Sequence, residues 1–388
     1  MSTQPPGVIG IGQTKYSKAR TDVSIPGLVR EAASRALDDA GLDWGDIDAL
    51  VMGKAPDIFE GVMQPELFLA DALGANGKPM LRVHTAGSVG CSTANVATDA
   101  VKGGRFKRVL AVAWEKQAEG NAQWGLGGGK SGSMGAGGIF APWVRAYISR
   151  SGAPEHIGWK VAVKDRLNAV KNPYAHLKLP DITIEKVRDS MMLWDPIHFL
   201  ESCPSSDGAC AMIVADHETA KTHSSAAWVL ATSMRSELGQ FPGRDTVRPQ
   251  AGVDCSAALY KDAGITNPRE QIDVAELYVP FSWYEPMWLE GHDLVGHGEA
   301  WKLIEAGETN LGGKFPVNPS GGVLSSNPIG ASGMLRFGEA ALQVRGMAGE
   351  HQVEGATVAL AQAYGGAAQY FAMWVVGSTL DAVERKRA

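Results

Sequence analysis

Excess positive charge is missing from this chain. Its 36 Lys and Arg stand against 42 Asp and Glu in 388 residues, a formal net charge of −6. No run of Lys or Arg gathers the basic charge into a patch, which argues against a nucleic-acid binder. Cysteine is sparse, with only Cys91, Cys203, Cys210 and Cys255, and none stands in C-x-x-C spacing. That excludes a disulfide scaffold and predicts reduced thiols, which read as inert interior or loop sulfurs. No window approaches the roughly 18 apolar residues of a membrane span. The stretch from Met1 to Pro6 has neither a basic nor an apolar segment, so the expectation is a soluble, cytoplasmic protein.

Several catalytic signatures are absent too. There is no Gly-x-Ser-x-Gly elbow. Gly10-Ile11-Gly12 lacks the third glycine of a dinucleotide fingerprint. Trp124 through Ser131 mimics a phosphate loop, but Trp124 stands where the first glycine is required. His292 and His297 do not have a helical metal-ligand spacing and no third ligand is apparent, so no metal is expected.

What is present is a strand–helix rhythm. Strands are predicted at Val8–Ile11, Ala49–Met52 and Val109–Trp114, and helices near Pro26–Ala40, closed by Gly41, and near Pro65–Leu73. A repeat organises them. Ala36-Leu37-Asp38-Asp39-Ala40-Gly41-Leu42, followed by Asp46-Ile47-Asp48, returns as Ala258-Leu259-Tyr260-Lys261-Asp262-Ala263-Gly264-Ile265, followed by Gln271-Ile272-Asp273. Two similar halves are therefore expected, residues 1–225 and 226–388. Between about 115 and 199 the rhythm lapses into a Gly-rich stretch, Gly125–Gly138, and a polar helical region, Ile157–Ala169, which reads as an inserted loop domain over the site.

The most informative segment is Val83-His84-Thr85-Ala86-Gly87-Ser88-Val89-Gly90-Cys91, a strand end, a turn and a helix start. Backbone N–H groups at a helix start favour negative charge, and small residues admit a substrate closely. Its counterpart in the second half is Ser325-Ser326-Asn327-Pro328-Ile329-Gly330, which also opens a helix, and the two helix starts should converge on one site. Yet Gly87, the turn residue best placed to meet a substrate, has no side chain.

These stretches resemble the thiolase superfamily, most closely its sterol carrier protein-x and lipid-transfer type members. The likeness is carried by Gly10–Thr14, Val163-Lys164, Asn172–His176, Cys203–Cys210, Asp273–Ser282, Val317–Gly322 and Pro328–Gly333, in the family's order along nearly the whole chain. It implies a five-layered α/β/α/β/α fold from two duplicated halves, a coenzyme A thioester as substrate with no bound cofactor, and a homodimer. Alignment with working thiolases puts Gly87 where the family has its nucleophilic cysteine and Asn327 where it has the histidine of a Gly-His-Pro triplet. Tyr278-Val279 falls on the polar pair of the second-half strand, and the second cysteine has no counterpart around Gln362–Gly366. Superfamily members lacking the nucleophile act as aldolases on steroid acyl-CoA side chains, usually with a small OB-fold, zinc-ribbon partner.

The expected reaction is retro-aldol cleavage of a β-hydroxyacyl-CoA, a steroid side chain, to a ketone and a shorter acyl-CoA. Tyr278 or Tyr364 would take the hydroxyl proton, provided a neighbouring donor or helix start lowers its pKa. Each tyrosine also reads as an aromatic that merely packs the core. Asn327 and the helix start at Gly87 and Ser88 would hold the thioester oxygen, with Ser326, Gly365 and Gly366 lining the site. Asn327 reads equally as a cap ahead of Pro328, and His84 as a site residue or a support for its turn. Cys91 should point back into packed core. The alternatives are a thiolase or acetyl-CoA acyltransferase using another cysteine, and a catalytically silent subunit of a heteromeric complex.

Overall fold

A computed structural model describes residues 4–120, 135–239 and 242–386. The phosphate-loop mimic and most of the Gly-rich stretch, within 121–134, lie outside the described residues. The strands are β1 Gly7–Gln13, β2 Ala49–Lys54, β3 Met80–Val83, β4 Arg108–Lys116, β5 Met192–Trp194, β6 Ile197–His198, β7 Asp207–Ala215, β8 Ala227–Ser236, β9 Val274–Glu276, β10 Val358–Gly365 and β11 Tyr370–Gly377. The predicted strands and helices appear with ends shifted by a few residues, and Gly41 closes the Ile25–Ala40 helix in the left-handed conformation at φ 63°.

Nine strands form one mixed sheet in the order β3-β2-β4-β7-β1-β8-β11-β10-β9. The order reads as a palindrome about its centre: β2-β4-β7-β1 on one side is answered by β9-β10-β11-β8 on the other. This is the duplication that the repeat announced. Among the described residues the two sides of the sheet are paired where Gly7 and Val8 meet Trp228 and Ala227.

Helices Val89–Lys102 and Ile329–Val344 occupy corresponding places in the two halves and pack against each other between the two arms of the sheet. A Cβ on Gly90 would lie 2.6 Å from the Met334 amide nitrogen, and one on Gly333 would lie 2.8 Å from that of Cys91. Glycine lets these two backbones touch. Helix Ile25–Ala40 covers the outer face of the first arm and helix Gln250–Ala263 that of the second. The result is the five-layered arrangement, helix, sheet, helix pair, sheet, helix.

Alternation along the strands sorts the core. On β7, Ala209, Ala211, Ile213 and Ala215 face the outer cluster under Ile25–Ala40, while Cys210, Met212 and Val214 face the inner cluster around the helix pair. The segment between β4 and β7 carries helices Gly135–Ser151 and His156–Lys171 and the β5–β6 hairpin. Its Phe140 ring reaches Phe281, Tyr284 and Tyr364, so the insertion closes over the end of the second arm. Among the described residues no helix is long and apolar enough to cross a membrane.

Candidate active site

Strand β3 ends at Val83, and the chain turns through Ala86, which adopts φ 52°, before the Val89 helix begins. Gly87 sits in this turn, half-buried. A Cβ built there would lie 3.6 Å from Gly365 Cα and 3.7 Å from the Tyr364 carbonyl oxygen, ordinary contact distances. The position therefore has room for a side chain that the sequence does not supply. Gly365 is tighter, since a Cβ on it would lie 2.4 Å from the Ser88 nitrogen. The β10–β11 turn, with Gly366 at φ 59°, is thus pressed against the helix start.

Ser88 is turned away from a ligand role in this conformation. Its amide and its hydroxyl both donate to the Thr85 carbonyl, at 3.2 and 2.6 Å. Beyond it, Ser88, Thr85 and Ser92 line a 170 Å³ cavity with Arg235 and Tyr370. His84 is exposed on the turn after β3. Cys91 is fully buried with its sulfur against the Ser88 carbonyl at 2.8 Å, and burial pushes its thiol pKa far up, as expected of a core sulfur.

The second half supplies the polar centre. Asn327 precedes Pro328, which keeps its backbone extended and starts the Ile329 helix without an N–H to satisfy. The Asn327 amide donates to Ser206 Oγ at 3.1 Å, and its carbonyl accepts from Gln117 Nε2. Its carboxamide oxygen accepts from the Tyr278 hydroxyl at 3.3 Å and from Ser332 Oγ at 2.7 Å. These donors aim its NH₂ at Cys203 Sγ, 3.2 Å away. Ser326 turns elsewhere, its hydroxyl accepting from the His176 amide at 2.9 Å.

Tyr278 follows β9, where Gln362 Oε1 takes its amide at 2.9 Å and Asn318 Oδ1 takes that of Leu277 at 2.8 Å. Its ring meets Tyr364 edge-on at 5.3 Å between centroids, and Tyr364 in turn stacks on Tyr284 and Phe371 and meets Trp288 edge-on. The aromatic run Phe281–Leu289 is thus the packing around Tyr364. His292 lies in the same stack, fully buried, and burial pushes its pKa down to about 3, so it is neutral.

Two expectations need correcting. The condition set on the tyrosines, a lowered pKa, is not met: burial raises both phenols well above their usual range. They are neutral hydrogen-bond donors in the resting protein. Cys203, expected as an inert interior or loop thiol, lies at the edge of the site. It is half-buried, its amide donates to the Pro280 carbonyl at 2.9 Å, and its sulfur lies against Asn327. The structure brings together Gly87, Gly365, Tyr278, Tyr364 and Asn327, and it adds Cys203.

Residues 239–378 match the family described as Thiolase C-terminal domain-like. An acetyl-CoA acetyltransferase of Methanothermobacter thermautotrophicus is 30% identical over 374 residues, covering 92% of this chain and 96% of that one. Sterol carrier protein 2 of Homo sapiens is 29% identical over 384 residues, 91% of this chain and 68% of its own. Among solved structures, the Ltp2-ChsH2(DUF35) aldolase superposes with a TM-score of 0.84 at 27% identity, covering 96% of this chain and 98% of that chain. The chain belongs to the thiolase superfamily, in its sterol carrier protein 2 and lipid-transfer-protein-like branch. It is a thiolase-like acyl-CoA enzyme, of a family that binds coenzyme A thioesters.

Proposed function

We propose that this protein cleaves the carbon–carbon bond of a β-hydroxyacyl-CoA by a retro-aldol reaction, releasing a ketone and a shorter acyl-CoA, with a steroid side chain as the acyl group. The observation that carries the reading is Gly87: the thiolase frame is intact around a position with room for a nucleophile and none present. A retro-aldol step needs no acyl-enzyme. It needs a proton acceptor for the hydroxyl and donors for the enolate oxygen that develops on the thioester.

The donors are at hand. Tyr364, held neutral by burial, and the second N–H of the Asn327 carboxamide can each give a hydrogen bond to an enolate oxygen, while the Tyr278 hydroxyl is committed to the Asn327 oxygen and holds that carboxamide in place. A neutral phenol in a dry site is a strong donor to a developing anion, and it needs no reorganisation to act. The similarity to the Ltp2-ChsH2(DUF35) aldolase supports the reaction class and a DUF35 partner, which we take to be the small OB-fold, zinc-ribbon protein. Self-pairing into a homodimer belongs to the same proposal, and a silent subunit of a heteromeric complex is its rival.

A second reading has one observation in its favour. The Cys203 sulfur beside Asn327 would serve a thiolytic acyltransferase, the activity in the name of the 30% identical relative. The deciding experiment incubates the chain, with and without its OB-fold partner, with a side-chain-hydroxylated steroid acyl-CoA and follows both products by mass spectrometry. Ketone with unmodified protein supports the aldolase. A mass increase equal to the acyl group, without ketone, overturns it.

A further inference from the structure

The retro-aldol reading leaves the hydroxyl proton without an acceptor, since both tyrosines are held protonated. One group at the site differs from them. Cys203 stands in a short antiparallel bridge, Ser202 opposite Phe281, directly after the segment that delivers Tyr278. Its sulfur accepts from Asn327 Nδ2, whose oxygen is already pinned by two hydroxyl donors, so the N–H has no other orientation to take. Of the four cysteines it alone is not fully buried.

Arg166, on the His156–Lys171 helix, gives Nη2 to the carbonyls of Ser202 and Leu200 at 2.9 and 3.4 Å. Its Nε and Nη1 are buried with no hydrogen-bond partner, although the residue is 1% exposed. No carboxylate forms an ion pair with it among the described residues. This buried guanidinium, with idle N–H groups and Asp165 as its neighbouring carboxylate, is held at the backbone just before Cys203 and adds positive charge beside the sulfur.

We propose that Cys203 is the acid–base group of the carbon–carbon cleavage, its thiolate taking the β-hydroxyl proton and the resulting thiol returning that proton to Cα. The inference rests on the retro-aldol reading. In the first step the O–H bond breaks and an S–H bond forms. As Cβ–O becomes a carbonyl, the electron pair of the Cα–Cβ bond moves into the thioester enolate. The S–H bond then breaks, Cα–H forms and the thiolate is restored, with no oxidant or co-reactant. The oxygen and Cα are both bonded to Cβ, so one sulfur can serve both ends of the transfer.

The surrounding charges agree. Burial pushes the Cys203 thiol up to about 11, while Arg166 and the Asn327 N–H hold it back from rising further. Tyr278 and Tyr364, which also face it, are pushed beyond the range where a phenolate forms. His176, on Ser206 Oγ, is held neutral by burial and by Arg166. Cys203 is therefore the group here that ionises first as pH rises. The thiol is the resting form at neutral pH, so a reaction using the thiolate should speed up about tenfold per pH unit while the pH stays below the raised thiol pKa.

The test uses propionyl-CoA in D₂O, which asks only for proton exchange at Cα and not for bond cleavage. We expect the intact chain to exchange the α-protons, followed by NMR, at a rate rising about tenfold per unit between pH 7 and 9. Cys203→Ala and Cys203→Ser should lose at least about 50-fold of this exchange, with melting temperatures confirming that both fold. Tyr278→Phe should keep the pH slope. Wild-type exchange at the buffer rate, or undiminished exchange in Cys203→Ala, overturns the inference. So does an acyl thioester on Cys203 in the intact mass, which would make it a nucleophile. Ketone release from the hydroxylated steroid acyl-CoA is scored separately: its absence while Cys203-dependent exchange persists sinks the aldol reading alone.

Discussion

The Tyr278 hydroxyl donates to the Asn327 carboxamide oxygen at 3.3 Å, joining the end of β9 to the start of the Ile329 helix across 49 residues of sequence. This bond sets the direction of the carboxamide, and with it the N–H that meets Cys203. Tyr278→Phe removes one of the two hydroxyl donors that fix the Asn327 carboxamide, so it should lower the rate of ketone release by about tenfold, less than the loss of a donor aimed at the oxyanion itself. Stability should change by no more than about 1.5 kcal/mol, because Ser332 still donates to Asn327. Steady-state kinetics beside a urea melt checks both, and an unaltered rate removes the phenol from the mechanism.

Room at Gly87 makes a second prediction. Gly87→Ala adds a Cβ at ordinary contact distance, so the variant should fold with a stability within about 1 kcal/mol of the parent. A loss of several kcal/mol in a denaturant titration would mean that the position is structurally closed and not merely vacant.

Gly90 should behave in the opposite way. Its added Cβ would meet the backbone of the partner helix at 2.6 Å, and neither helix can yield without moving the site. Gly90→Ala should cost about 2–3 kcal/mol and depress activity together with stability. The same melt, run on both variants, separates them.

A buried ion pair gives a pH signature away from the site. His351 Nε2 and Glu339 Oε2 lie 2.9 Å apart, both almost fully buried. Burial alone would disfavour both charges, but each partner's charge prevails, so the His351 pKa is raised above 6.5 and the Glu339 pKa lowered below 4.5. The histidine's contribution is complete below 6.5 and fades as pH rises through its folded value. The carboxylate's is complete above 4.5 and fades as pH falls through its folded value. The stability lost in His351→Gln should therefore be greatest between about pH 4.5 and 6.5 and shrink on either side. A flat difference across urea melts from pH 4 to 9 would show the pair to be uncharged.

Local pattern made the layers readable in the sequence, and only long-range contact made the site complete. The repeat of Ala36–Leu42 at Ala258–Ile265 announced a duplication that the strand order displays, because amphipathic periodicity and a glycine stop are local instructions. Gly87 was legible for the same reason, as a gap in a short motif. Cys203 was not. It meets Asn327 across 124 residues, through a backbone bond to Pro280 that no periodicity encodes. A signal was available: Cys203-Pro204-Ser205-Ser206 lies within a stretch already marked as family-like, and Ser206 caps the Asn327 amide. The raised phenol pKa values were also hidden, since they depend on rings brought from β10 and the inserted helices.

Among the described residues the strand pairing between the arms is Gly7 and Val8 against Trp228 and Ala227, and the two interior helices add a second seam between the duplicated copies. Gly87 leads into one of those helices and Asn327 into the other. Any thioester held between them is consequently gripped by both copies at once and acts as a clasp on the seam. Occupancy of so small a spot should be felt as rigidity throughout the molecule.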